Sequence, residues 1–228
     1  MTADPYREGK RAAGHAAAAL VEPGMKLGLG TGSTVHFLIE RLGERVRDEG
    51  LDFTGVPTSQ GTVDDARSQG LQITSLDEVD ELDLTIDGAD EIDPSKNMIK
   101  GGGGALLREK IVAAASREVA IVVSANKLVD HLGAFPLPVE ILPFGWRQVA
   151  EKIGAMGGPP SRRERDGEPF FTDNGNFVLD CAFDIITAPK DLETAILQIP
   201  GVIECGLFIG MANSVFVGES DGTFRVID

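Results

Sequence analysis

Three stretches of this chain hold residue types whose spacing can do chemistry. The first, Gly28-Leu29-Gly30-Thr31-Gly32-Ser33-Thr34, falls between an apolar strand and a helix. A loop in that place presents backbone N–H groups at the positive end of a helix, which suits an anion, and Thr31, Ser33 and Thr34 add hydroxyl donors. A dinucleotide fingerprint would need a third glycine where Ser33 stands. It would also need an acidic residue after the next strand, where the chain has Thr58-Ser59. The Gly-Lys-Ser/Thr of a nucleotide P-loop is missing too. A phosphate-binding loop is the expectation, and a purely structural turn is the alternative.

The second stretch crowds Asp87, Asp90, Glu91 and Asp93 at the carboxyl end of an apolar strand, the edge at which open α/β sheets bind ligands. Four carboxylates so close suggest calcium or magnesium, but the spacing is not that of an EF-hand loop. Helix caps and solvated side chains are the other reading. The third stretch is Lys100-Gly101-Gly102-Gly103-Gly104, leading into Ala105-Leu106-Leu107-Arg108-Glu109-Lys110. Four glycines in a row carry a large entropic cost, so a bare backbone must be required there unless the run is a linker. Glu109 is a candidate base if it faces a cleft, and a surface residue if it follows its neighbours Arg108 and Lys110. Lys127, in Ser124-Ala125-Asn126-Lys127, ends another apolar strand, where a solvated lysine is the plain alternative.

The elements that must position these residues alternate. Asp4-Pro5 reads as a cap and first helical residue, opening an Ala-rich helix to Leu20. Strands are predicted at 25–30, 52–57, 71–74, 82–86 and 119–124, with helices at 35–49, 62–69 and 105–116. This alternation implies a parallel sheet covered on both faces. After Gly133 the rhythm changes to strand 139–142, helix 146–156, a polar edge or hairpin at 161–166, strand 170–183 and helix 192–199. That order suggests a small α+β domain. Strands at 202–209 and 215–217 are expected to return to the first sheet. The domains expected are 1–133 plus 206–228, and 134–205.

The chain has 228 residues, 42% of them hydrophobic, enough to bury a sizeable core. No apolar run reaches membrane-spanning length, and the opening Met1-Thr2-Ala3-Asp4-Pro5 has no leader pattern, so a cytoplasmic protein is expected. The net charge of −15, from 36 acidic and 21 basic residues, repels nucleic acid and anionic lipid. It also repels a phosphorylated substrate, so a phosphate site must be built from local donors and cations. The acidity fits a salt-rich habitat or an ordinary acidic enzyme. Cys181 and Cys205 read as buried small hydrophobes. His15, His36 and His131 are scattered with no zinc-site spacing.

Taken together, the blocks GTGST (30–34), TIDGADEID (85–93), MIKGGGGALLREKI (98–111), SANKLVD (124–130), LGAFPLPVE (132–140), TDNGN (172–176) and IPGVIECGLF (199–208) resemble ribose-5-phosphate isomerase of the A type. They span nearly the whole chain, and DGADE followed closely by KGGGGALLREK is highly specific. The resemblance implies a Rossmann-like α/β main domain with a smaller ferredoxin-like α+β domain, no metal or cofactor, and a homodimer or homotetramer. Thr31, Gly32, Ser33, Thr34, Asp87, Gly88, Ala89, Asp90, Lys100, Gly101, Gly102, Gly103 and Lys127 would bind a sugar phosphate. Glu109 would accept the proton, with Asp87, Asp90 and Lys100 assisting.

The chemistry agrees. Moving a carbonyl from C1 to C2 of a sugar phosphate needs one carboxylate to carry a proton, and cations or N–H groups to stabilise an enediolate. Two rivals share parts of this pattern. A sugar-phosphate sensor would not need Glu109 and would usually carry a DNA-binding segment. An acyl or CoA transferase would use a carboxylate as nucleophile.

Overall fold

The computed structural model describes residues 4–228; Met1 to Ala3, which begin the segment read above as leaderless, lie outside them. Contacts divide the chain into two compact units. One takes the chain up to Gly88 with Arg108–Lys127 and Met211–Asp228, and the other takes Ala89–Leu107 and Leu128–Gly210. The expected segments are cut differently: 89–107, 128–133 and 206–210 group with the second unit. The reason is strand pairing. Met98–Ile99 lies antiparallel to both Glu91–Ile92 and Leu207–Phe208, so these three short strands form one sheet.

The first unit is built on a six-stranded sheet in the order Phe224–Ile227, Ser214–Gly218, Ser116–Ser124, Leu82–Asp87, Lys26–Leu29, Thr54–Pro57. All neighbours are parallel except the pair at the C-terminal edge. Val119 to Val123 are almost wholly buried, as an unbroken apolar run in a sheet covered on both faces must be.

Among the described residues, four α-helices attend this sheet. α1 (Arg7–Ala18) starts later than Asp4-Pro5 suggested, because the Asp4 carboxylate accepts the Tyr6 N–H at 3.0 Å and closes a turn first. Its Ala13, Ala17 and Ala18 are fully buried, and at Gly9 a Cβ would meet Glu219 O at 2.1 Å, so small residues let the helix lie close against the end of the Ser214–Gly218 strand. α2 (Ser33–Glu49) buries Leu38, Ile39 and Leu42 on one face at helical spacing, each contributing about 1.5–3 kcal/mol. It ends at Gly50, left-handed at φ 70°, whose N–H caps the Arg45 carbonyl. α3 (Gln60–Ser68) is capped by Ser59, whose hydroxyl accepts the Thr62 N–H at 3.1 Å. α4 (Leu106–Ala114) starts in the second unit and passes into the first after Leu107. Residues 71–74, expected as a strand, contribute only one bridge, Gly55 to Ile73.

The second unit contains a ferredoxin-like β-α-β-β-α-β run: Leu137–Ile141, α5 (Trp146–Gly154), Pro160–Arg162, Phe177–Cys181, α6 (Pro189–Leu197), Val202–Cys205. Its antiparallel sheet has the order 202–205, 137–141, 177–181, 160–162. Thus 202–209 does not return to the first sheet. Val202–Cys205 pairs with Leu137–Ile141, Leu207–Phe208 joins the three-stranded sheet, and only Ser214–Gly218 goes back. Cys181 and Cys205 are fully buried, and burial pushes the Cys181 thiol up to about 12. Glu140, also fully buried, accepts Thr172 Oγ1, Asn174 Nδ2 and Asn176 Nδ2 at 2.9, 3.1 and 2.8 Å, pinning the 172–176 turn to the sheet.

Candidate active site

In the first unit the chain leaves strand Lys26–Leu29 for one neighbour, Thr54–Pro57, and then comes back to pair on its other side as Leu82–Asp87. The loop after Leu29 and the carboxyl end at Asp87 therefore meet at the topological switch point, where such sheets bind ligands. The contact is intimate. Asp87, 2% exposed, accepts the N–H of Thr31 at 3.0 Å and that of Gly88 at 2.7 Å through one oxygen. Gly30 makes this possible, because a Cβ there would lie 2.0 Å from that same oxygen.

Beyond Thr31 the loop opens outward. Gly32 adopts φ 134° with nothing near its Cβ position, and both it and Ser33 are exposed at the start of α2. Thr34 is buried in the first turn. The Thr31 hydroxyl, read from sequence as a donor, sits among the hydroxyls of Thr58, Ser59 and Thr62, at 2.8, 2.8 and 3.1 Å. Thr62 in turn donates to Gly30 O at 2.8 Å. This hydroxyl cluster fixes the loop's shape and leaves Gly32 and Ser33 on its exposed side.

Sequence reasoning missed one cation. Lys10 of α1 places Nζ 3.2 Å from Ser33 Oγ and 2.7 Å from Asp4 Oδ2, with its side chain 16% exposed. It thus puts a positive charge at the start of α2. Nothing around Lys10 marks it locally; the signal is the packing of α1 beside α2.

On α4, Glu109 is 4% exposed, which rules out the surface reading that Arg108 and Lys110 left open. Lys127 is partly exposed in a 3₁₀ turn, Ala125–Lys127, just past strand Ser116–Ser124.

The second unit holds the remaining segments. Lys100 is 3% exposed; its N–H donates to Gly206 O at 2.8 Å and its ammonium lies 5.3 Å from the centre of the Phe208 ring. Asp90 accepts the Gly102 N–H at 2.7 Å. The glycine run is no linker. Gly101 and Gly104 have φ of 106° and 83°, and a Cβ on Gly104 would enter the Phe170 ring at 2.5 Å. The acidic residues that follow Asp87 likewise each hold backbone: Glu91 takes the N–H groups of Gly133 and Phe135 at 2.7 and 2.6 Å, and Asp93 those of Ser95 and Asn97 at 2.9 and 2.8 Å.

A mostly parallel sheet with a hydroxyl-lined loop at its switch point and a buried glutamate is the framework of a small-molecule enzyme. Residues 54–222 match the model of the family described as ribose 5-phosphate isomerase A (phosphoriboisomerase A). Ribose-5-phosphate isomerase A 1 of Oceanobacillus iheyensis is 50% identical over 215 residues, covering 94% of this chain and 96% of that protein. The ribose 5-phosphate isomerase A structure from Methanocaldococcus jannaschii superposes with a TM-score of 0.91 at 38% identity, over 96% of this chain and 98% of that one. A D-ribose-5-phosphate isomerase solved in complex with phospho-erythronic acid superposes with a TM-score of 0.93 at 37% identity, over 97% and 98%. The chain belongs to the ribose-5-phosphate isomerase A family, and it is an isomerase.

Proposed function

We propose that the enzyme interconverts D-ribose 5-phosphate and D-ribulose 5-phosphate through an enediolate, with Glu109 as the general base. The observation that carries this reading is the burial of Glu109 in the first turn of α4, directly after the glycine run. A carboxylate taken out of solvent at such a place has no solubility role, and a proton carrier suits it. Glu109 removes the C2 proton while the C1 carbonyl becomes an enediolate oxygen. It then returns the proton to C1 as the C2 carbonyl forms, and the hydroxyl proton passes from O2 to O1. No external oxidant or reductant is needed.

Lys100, Lys127 and the N–H groups of Gly101 and Gly103 stabilise the developing oxyanion. Asp87 and Asp90, with Gly88 and Ala89 between them, accept hydrogen bonds from sugar hydroxyls. The phosphate is assigned to Thr31, Gly32, Ser33 and Thr34, with Lys10 supplying charge; hydroxyls, backbone N–H groups and an ammonium at a helix start are the donors a phosphate takes. The related isomerase's phospho-erythronic acid, a phosphorylated sugar acid, fits a site with both kinds of donor. We place the reaction in the cytoplasm, in the non-oxidative pentose phosphate pathway, with the enzyme a homodimer or homotetramer.

Incubating the enzyme with ribose 5-phosphate should yield ribulose 5-phosphate. Glu109→Gln keeps shape and removes the base, so kcat should fall by roughly two to four powers of ten with KM largely kept. Near-normal turnover in that variant rules out Glu109 as the base, and no turnover by the wild type rules out the substrate.

A further inference from the structure

Arg163 lies in the polar stretch that reads from sequence as an exposed hairpin or edge, yet its side chain is only 14% exposed. Its guanidinium is committed on two sides. Nε donates to Asp180 Oδ2 at 3.0 Å and Nη2 to Asp180 Oδ1, a two-pronged ion pair on strand Phe177–Cys181. Nη1 donates to the carbonyls of Gly101 at 2.8 Å and Gly102 at 3.1 Å. Four of the five guanidinium donors are thereby used, in the planar fork that only arginine offers.

The opposite side of the same peptides is held as well. Asp90 takes the Gly102 N–H at 2.7 Å, and Gly101 O also accepts the Gly104 N–H at 2.9 Å. The Phe170 ring, over which Arg163 lies at 5.8 Å, fills the space against Gly104. Four consecutive glycines have no side chains with which to hold their own conformation. Beyond the single turn bond from Gly104 to Gly101, their order comes from outside the run, and Arg163 supplies the donors that hold two of their carbonyls.

We propose that Arg163, anchored by Asp180, is a positioning residue for the reaction, fixing the direction of the two peptides that join Gly101 to Gly102 and Gly102 to Gly103. This rests on the reading that those peptides face the substrate. The Gly101 carbonyl shares its rigid plane with the Gly102 N–H, which Asp90 takes, and the Gly102 carbonyl shares its plane with the Gly103 N–H, so a donor gripping both carbonyls aims the Gly103 N–H. A misdirected peptide costs rate more than binding, because the oxyanion charge appears only on the way over the barrier.

The test uses Arg163→Met, Arg163→Lys and the pair Arg163→Met/Asp180→Asn in the full-length enzyme, with Arg162→Met as a neighbouring control. In Arg163→Met, kcat for ribose 5-phosphate should fall on the order of ten- to a hundred-fold well below the melting temperature, with KM changed less. Amide exchange at Gly102 to Gly104 should quicken while the sheet amides stay protected. Lysine should not rescue, since a single ammonium cannot hold Asp180 and both carbonyls. The double variant should remain as slow as Arg163→Met, because removing the orphaned Asp180 charge does not return the donor to the loop.

Wild-type kcat in Arg163→Met, full rescue by lysine, or recovery in the double variant each overturns the proposal. An Arg162→Met as slow as Arg163→Met does so too. A wild-type enzyme inactive on ribose 5-phosphate defeats only the substrate reading. The exchange measurement then still decides whether Arg163 orders the loop.

Discussion

Lys10 Nζ and Ser33 Oγ stand 3.2 Å apart, tying α1 to the first turn of α2 beside the exposed Gly32. The same ammonium holds the Asp4 carboxyl below the usual range, through a hydrogen bond foremost. In a protein of net charge −15 that ion pair leaves the start of α2 locally neutral, and a bound anion would compete with Asp4 for the ammonium. Lys10→Met should therefore raise KM for ribose 5-phosphate about ten-fold or more while kcat changes little, the worth of one hydrogen bond to a charged group. Steady-state kinetics at low ionic strength will show it. An unchanged KM would remove Lys10 from the phosphate site.

Gly30 is required by Asp87 and not by backbone freedom. A methyl group there would meet the Asp87 carboxylate oxygen at 2.0 Å and its Cα at 2.5 Å, so backbone must shift. Gly30→Ala should cost about 1–3 kcal/mol of stability by overpacking. In a chain of this size that is a melting temperature lower by roughly 2–10 °C. Activity of the folded variant should drop as well, since Thr31 and Gly88 both depend on the displaced carboxylate.

The carboxylates from Asp87 to Asp93 hold N–H groups of their own and neighbouring segments. Donors of that kind compete with a cation for the same lone pairs. Exhaustive dialysis against EDTA should leave turnover intact, measured before and after adding magnesium or manganese. Activity lost and then restored by either ion would move these residues to metal binding.

His15, partly buried in the last turn of α1, has its pKa lowered below 6.5 chiefly by burial. Arg11 and Arg41 push the same way, while Glu44 and Glu40 oppose. The unfolded chain thus binds the proton more readily than the folded one. This contribution to stability is whole above about pH 7, is lost as pH falls through 6.5, and loses nothing more below the folded pKa. Melting curves from pH 8 to pH 5 should fall less steeply in His15→Gln than in the wild type. Parallel curves would mean that His15 titrates alike folded and unfolded.

Some of this molecule could be read straight from the residues. Apolar runs ending in Gly30 and Asp87 mark neighbouring parallel strands, and a tetraglycine ahead of a patterned helix marks a place where the backbone must be bare, because little else justifies so costly a choice. What required the tertiary structure was every decision between partners far apart in sequence. Val202–Cys205 has the composition of any strand, and only the pairing available selects its sheet. Arg108 and Lys110 make Glu109 look exposed, and the face that α4 buries overrules them. Lys10 and Ser33 are 23 residues apart, Arg163 and Gly101 62. Each pair is joined by side chains whose local surroundings resemble ordinary solvated surface. A sequence states what each residue can donate, accept or bury; which of its possible partners comes within 3 Å is settled by packing, since a hydrogen bond's reach is short compared with the path of chain between its ends.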